Sequence, residues 1–350
     1  MKIALLGSSE FEVNTNAENY LQEYIRELVI RLIDKGHQVT YFGCYGSKLP
    51  CEVYSLNLDS IDWSYDHDIS ENVKTYAEKQ HAYFEIFKYL QESDFDLIHN
   101  LSGEQIPVFT AQFLDIPTIT TLFDKPKGLL QSSVKLNQTS KNYYIALDHE
   151  IANSWMGHSK IDEIIGRGIN YESYRFSVKA ETNQVVYLGN IIADNNLENI
   201  IDAVSQMGYV LKIYGEIVDE YYYRNFIEPL LSDRVEYCGV LNPKDYEASL
   251  SAAQVSLVAS KQFYGYQNLV IESLSTGTPV VLIAKEYHMS ILPEFCGVQI
   301  KLDDVSILRK ALISASRKSR EDCRTYVEEN FKYSDVVESY ISFYHKVLSN

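Results

Sequence analysis

Positive charge is scarce in this 350-residue chain. Its 31 lysines and arginines stand against 48 aspartates and glutamates, a net charge of −17 at pH 7. Such a balance repels nucleic-acid phosphates and anionic lipid headgroups alike, so neither a nucleic-acid substrate nor a polybasic membrane anchor is expected. Long apolar runs are missing too. The opening MKIALLGSS makes a short strand and a turn, too short for a signal-peptide core, and no later run reaches membrane-spanning length. Cysteine is sparse and odd in number. Of Cys44, Cys51, Cys238, Cys296 and Cys323, only the first two are close in sequence, and none has zinc spacing. Reduced thiols, a cytoplasmic protein and no metal centre are the expectation. The acidic DHD at 66–68 lacks further ligands, and no pair of carboxylates suggests an acid and a nucleophile. Short-period repeats and low-complexity segments are absent.

What is present has the composition of a globular protein, 46% hydrophobic and 23% charged, with a length that suits two domains. Tyrosine is abundant at 28 residues and supplies apolar area with a polar tip, useful in packing and in cleft walls. Short apolar runs alternate with helical patterns. KIALLG, HQVTYFG, DLIHN, PTITTLF and YYIAL read as strands, with helices over 18–35 and 72–92. The polar FSVKAETN at 176–183 reads as a linker. The alternation restarts with VVYLGN, YVLKIYG, RVEYCG, VSLVAS and PVVLIA, interleaved with helices over 196–206, near 218–231, over 243–252 and over 268–276. Residues 320–349 read as two helices broken near Tyr333. This order predicts α/β domains with parallel sheets at 1–175 and 184–330, and a terminal helix over 331–350. Ligands of open α/β sheets lie beyond the carboxyl ends of the strands. The loops that matter therefore follow Gly7, Gly43, His99, Leu122, Gly189, Gly215, Gly239 and Ser260.

One segment carries more than fold. KQFYGYQNLVIESLSTGTPVV at 261–281 runs from an aromatic turn through a helix ending at Gly277 into an apolar strand. With VVYLGN, LKIYGE and DRVEYCGVL before it, YGYQNLVIESLSTGTPVV resembles the EGFPNxxxEAxxxGTPVV segment of family 4 glycosyltransferases. DLIHN, TTLFDKP and GRGIN resemble first-domain segments of the same family, so the likeness spans nearly the whole chain. It implies a GT-B fold of two facing Rossmann-like domains with a cleft between them. The implied activity is transfer of a sugar from a nucleoside-diphosphate sugar, used as co-substrate with no other cofactor, to a soluble small-molecule or glycan acceptor, usually with retention. The donor would sit mainly on the second domain and the acceptor on the first, and the terminal helix would cross back to the first domain.

By that resemblance Glu272 would accept hydrogen bonds from the ribose diol, which suits a carboxylate. It could also serve simply as an acid early in a helix. The amides of Asn268 and Leu269 would meet a phosphate without a charged side chain, and Asn268 could equally be an N-cap. Gly189 and Gly239 would end strands beside the nucleotide. Other positions depart from the family pattern. The first glutamate is replaced by Tyr264, the diphosphate-gripping arginine and lysine by Asn190 and Asn195, and the first-domain histidine by Phe123, and NTNAENY stands where the family has a glycine-rich turn. Glu216 would repel a diphosphate. Charged hydrogen bonds contribute about 1.5–3 kcal/mol each, so losing two costs roughly 3–6 kcal/mol, about a hundred- to ten-thousand-fold in affinity. Lys261 is the first candidate to substitute, followed by Lys285, Arg167, Lys125 and Lys127. His99 is a candidate base or acceptor-binding group, or a hydrogen-bonded structural histidine. Asp124 could orient an acceptor hydroxyl or cap a turn. Three readings follow: a glycosyltransferase with an altered donor site, a catalytically degenerate relative that serves as a binding or partner subunit, or a GT-B protein doing other chemistry in the same cleft.

Overall fold

The computed structural model describes residues 1–14, 19–59, 61–65, 68–137, 139–181, 183–240, 242–260, 266–284, 291–301 and 307–349. The chain divides into two compact units, Met1–Gly168 with Tyr333–Asn350, and Ile169–Lys332. Residues 176–183 thus fall inside the second unit.

The first unit holds a seven-stranded parallel sheet. Its strands are β1 (Lys2–Leu6), β2 (Gln38–Gly43), β3 (Glu52–Ser55), β4 (Leu97–Asn100), β5 (Thr118–Leu122), β6 (Asn142–Ala146) and β7 (Glu163–Ile164), in the order β3-β2-β1-β4-β5-β6-β7. The order reverses at β1, as in doubly wound folds. Along β1, Ile3 and Leu5 enter one core cluster while Ala4 and Leu6 enter another. Period-two alternation therefore buries both faces. The Tyr20–Asp34 helix starts at a capping box. Asn19 Oδ1 accepts from the Gln22 amide at 3.0 Å, and Gln22 Oε1 accepts from the Asn19 amide at 3.1 Å. It ends at Gly36, whose φ of +82° suits a residue without Cβ.

The last helix, Tyr333–Leu348, belongs to this unit and packs its Tyr340, Phe343 and Tyr344 into the β1–β4–β5 core. A chain of hydrogen bonds runs through that core. Tyr344 Oη meets His99 Nδ1 at 2.7 Å, His99 Nε2 meets Thr121 Oγ1 at 2.9 Å, Thr121 Oγ1 meets Tyr340 Oη at 3.1 Å, and Tyr340 Oη meets Tyr24 Oη at 2.6 Å. Five side chains from two helices and two strands thereby satisfy one another out of water, as buried polar groups must.

The second unit repeats the plan with β8 (Gln184–Leu188), β9 (Val210–Tyr214), β10 (Val235–Gly239), β11 (Val255–Ser260), β12 (Val280–Ala284) and β13 (Gly297–Lys301), all parallel in the order β10-β9-β8-β11-β12-β13. Val185 and Tyr187 face one core, Val186 and Leu188 the other. The predicted helix near 218–231 is instead a single α turn (Glu220–Tyr222), a π turn (Tyr223–Ile227) and a 3₁₀ turn (Glu228–Leu230). Pro229 lacks an amide and cannot extend an α-helix from within.

The Arg320–Asn330 helix ties this unit together. Arg320, 8% exposed, donates from Nε to the Ser177 carbonyl (2.6 Å), from Nη1 to Ala253 (2.7 Å), and from Nη2 to Ser251 (2.7 Å) and Thr278 Oγ1 (3.0 Å), with Thr276 at 3.3 Å. One helical turn on, Arg324 Nη1 donates to the carbonyls of Tyr171 and Ser275, both at 2.8 Å, and its guanidinium lies 4.7 Å from the Tyr171 ring centroid. These carbonyls include the last ones of the Pro243–Ala252 and Tyr266–Ser275 helices, where a cation also meets the negative end of the dipole.

Burial lowers His99 from its usual 6.5 to about 3. The folded protein therefore keeps it neutral, while the unfolded chain takes up a proton below about pH 6.5. Its contribution to stability is complete above that pH and is lost as pH falls toward 3. Denaturant titrations between pH 6 and 4 are expected to show wild type losing about 1.4 kcal/mol per pH unit more than His99→Gln. Equal slopes would contradict the buried neutral histidine.

Candidate functional site

In the second unit the carboxyl ends of β8, β9 and β11 converge too closely for side chains. A Cβ on Gly189 would lie 2.5 Å from the Ala259 carbonyl oxygen, and one on Gly215 would lie 1.9 Å from that of Gly189. Gly239 has a φ of +111°, and its carbonyl accepts from the Gly215 amide at 2.8 Å. Glycine is needed at each of these three positions, for contact or for backbone conformation. The loops that leave this floor are knitted together: the Ile191 amide donates to Glu216 at 2.8 Å.

Asn190 is exposed at the rim, whereas Asn195 is 1% exposed. The Asn195 Nδ2 donates to the Asn190 carbonyl at 2.8 Å, which also accepts from Tyr187 Oη at 3.3 Å. Through this bond Asn195 braces the loop after β8 from inside. Residues 189–196 contain no lysine or arginine, and the Glu216 side chain is exposed. The rim of β8 and β9 thus offers acceptors and no cation.

The Tyr266–Ser275 helix follows β11. It is buried on nearly every side, and its small polar residues bond inward. Ser273 Oγ donates to the Leu269 carbonyl at 2.7 Å and meets Ser256 Oγ at 2.9 Å, and Ser275 Oγ donates to Ile271 at 2.8 Å. The helix begins two residues earlier than expected, so Asn268 is its third residue and not its N-cap, and Leu269 is its fourth. Both amides remain in the first turn, where intrahelical acceptors run out. Glu272, one turn past Asn268, is 5% exposed, and its Oε2 accepts from the Tyr246 hydroxyl. Tyr246 is held edge-on against Tyr214, whose hydroxyl meets Ser249 Oγ at 2.8 Å. Two acceptors in the first turn, Gln267 Oε1 and Asn268 Oδ1, are buried with no hydrogen-bond partner among the described residues. Tyr246 and Gln267 were not singled out from the sequence. Gln267 stands beside Asn268 in the motif, but nothing local marks Tyr246, since its role depends on a contact across 26 residues.

Lys261, Tyr264 and Lys285 lie outside the described residues, as does 15–18 of the NTNAENY turn. The other candidate cations have partners within the first unit. Arg167, 8% exposed, donates to Asp148 Oδ2 at 2.7 Å, and Asp148 Oδ1 caps the His149–Ser154 helix. Lys125 pairs with Glu150 at 3.2 Å and Lys127 with Asp124 at 2.7 Å.

In the first unit His99 is 0% exposed, with both ring nitrogens bonded and its pKa lowered by burial. Its surroundings match the reading of a hydrogen-bonded structural histidine, with Thr121 on one ring nitrogen and Tyr344 on the other. Asp124 is half-buried, and its backbone carbonyl accepts from Trp155 Nε1 at 2.7 Å. Phe123 packs edge-on against Tyr24 at 5.7 Å.

Among the described residues no cluster of three or more His, Cys, Asp or Glu could hold a metal ion, and no helix is long and apolar enough to cross a membrane. The described cysteines are all free thiols.

No family model matches the chain. One curated relative, an uncharacterized 41.2 kDa protein in the cps region of Klebsiella pneumoniae, is 22% identical over 179 residues. That match covers 48% of this chain and 47% of the relative, about half of each. Solved structures match over the full length. A glycosyltransferase from Rickettsia africae gives a TM-score of 0.74 at 14% identity, covering 100% of this chain and 99% of that one. AviGT4, a glycosyltransferase involved in avilamycin A biosynthesis, gives 0.68 at 16% identity, covering 100% and 98%. Anabaena HepE, solved in complex with UDP and glucose, gives 0.67 at 13% identity, covering 99% and 100%. The fold is GT-B, the fold of these glycosyltransferases.

Tyr246→Phe deletes a donor to a buried carboxylate. It is expected to lower stability by about 1.5–3 kcal/mol, read as a shift in denaturant midpoint. An unchanged midpoint would show that Glu272 does not depend on Tyr246.

Proposed function

We propose that the chain is a glycosyltransferase of the family 4 type. It takes a sugar from a nucleoside-diphosphate sugar to a soluble small-molecule or glycan acceptor with retention at the anomeric carbon. The observation that carries this reading is the set of acceptors on the first two turns of the Tyr266–Ser275 helix. Glu272 is fixed by Tyr246, and Gln267 Oε1 and Asn268 Oδ1 are buried without described partners. Acceptors of this kind call for a ligand rich in donors, and ribose and sugar hydroxyls are such donors. The amides of the same turn suit phosphate oxygens. The HepE complex with UDP and glucose is in keeping with a ligand of this chemistry on this fold.

In this reading the chain's residues act mainly by holding groups in place. Glu272 would grip the ribose diol, Tyr246 would keep that carboxylate oriented, and the first-turn amides of Asn268 and Leu269 would take up charge developing on the leaving diphosphate. Neither Asn195 nor His99 has a chemical part in it.

A second reading, a GT-B protein that binds without turning over, is favoured by one observation. The residues that would replace the family's phosphate-gripping cations are an exposed Asn190 and an Asn195 already bonded within its own loop. Turnover separates the two. Incubation with UDP-, GDP- and dTDP-sugars and a panel of oligosaccharide and small-molecule acceptors is expected to release nucleoside diphosphate with formation of an α-configured glycoside from an α-linked donor. Glu272→Ala is expected to reduce this by at least about a hundredfold, the loss of two charge-assisted contacts. Nucleotide binding without release of diphosphate from any donor would establish the second reading.

A further inference from the structure

The second unit contains a cavity of about 410 Å³ at the opposite edge of its sheet from the site above. Its wall includes Gln254 and Pro279, which immediately precede β11 and β12, so it opens at the amino ends of the strands. The volume is in the range of small-molecule sites. Its lining is at odds with the chain's overall charge: Lys179, Lys318 and Arg320 line it against one carboxylate, Glu321, in a protein of net charge −17. Ser316 and Ser319 add hydroxyls.

Arg320 makes this more than a pair of surface lysines. It is a cation 8% exposed, and all its hydrogen-bond partners among the described residues are neutral oxygens. Buried charges are as a rule paired with an opposite charge. The carboxylate whose field reaches Arg320, Glu181, is paired with Arg175 at 2.8 Å. Helix C-terminal carbonyls offset part of the guanidinium charge but supply no full negative charge. The N-terminal dipole of the Arg320–Asn330 helix is already faced by Glu321 and Asp322 and is no part of the argument.

We propose that this cavity binds a small phosphorylated ligand, its dianionic phosphate held by Lys179 and Lys318 and balancing the buried charge of Arg320. This chemistry is met by free phosphate and by a phosphate monoester, and it is independent of the sugar-transfer reading. An anion of this size and charge fits the lining, whereas an apolar ligand would desolvate the two lysine ammonium groups without supplying a counter-charge.

The test follows the ³¹P resonance of inorganic phosphate, and separately of glucose 6-phosphate, titrated with the intact protein at constant ionic strength. Wild type, Lys179→Glu/Lys318→Glu and Glu272→Ala are compared. Saturable binding at millimolar concentration or below is expected, weakened at least about tenfold in the double lysine variant and unchanged in Glu272→Ala. Tighter binding of glucose 6-phosphate than of phosphate would identify a monoester as the ligand, and equal binding would identify free phosphate. Absence of saturable binding, binding equal in wild type and the lysine variant, or binding lost in Glu272→Ala would overturn the proposal. Both lysines are side chains of the cavity rim, so the variant is expected to keep the wild-type unfolding midpoint. A preserved midpoint shows that lost binding is not lost folding.

Discussion

A single guanidinium holds the second unit in register. Arg320 reaches carbonyls at the ends of two helices, the Ser177 strap and the Thr278 hydroxyl, and Arg324 repeats the device one turn later. The planar fork of arginine suits such divergent acceptors, and lysine could not reproduce it. What Arg320 and Arg324 fix is the carboxyl end of the Tyr266–Ser275 helix, the element that carries Glu272, Asn268 and Gln267. The candidate ligand-binding turn is thus positioned from its far end, by groups that no ligand there would touch. Removing the guanidinium would strand buried carbonyls, each at a cost of about 1–3 kcal/mol.

The first unit solves the same problem with neutral groups. The chain from Tyr344 through His99, Thr121 and Tyr340 to Tyr24 joins the terminal helix to two strands and to the Tyr20–Asp34 helix. Burial raises the tyrosine hydroxyls, Tyr340 to about 12, and lowers His99, so every member stays neutral across ordinary pH. Many of the chain's 28 tyrosines are used in this way, with ring in the core and hydroxyl in a network, as Tyr187, Tyr214 and Tyr246 are in the second unit.

The α/β alternation was legible because buried parallel strands are apolar throughout. KIALLG, VVYLGN and PVVLIA announce themselves by composition. β3 was not legible, since EVYS is a mostly exposed edge strand with little apolar signal, and neither was β13, where GVQIK is short and half polar. Helix boundaries with strong stop signals, at Gly36 and Gly277, were readable. The start of the Tyr266–Ser275 helix was not, because Tyr266 and Gln267 look like turn residues and are helical through burial. The site was legible only in part. Glu272 stands out through its motif, but the burial of His99 and Asn195 depends on partners 245 and 5 residues away, Tyr344 and Asn190. Type and motif position show what a side chain can do.

The central claim is that the first two turns of the Tyr266–Ser275 helix hold a nucleoside diphosphate through Glu272. Calorimetric titration with UDP, GDP and dTDP, on wild type and Glu272→Ala, tests it most directly. The account predicts micromolar binding of one of the three by wild type and its loss in the variant. Binding of none at millimolar concentration, or equal binding by both proteins, would contradict it.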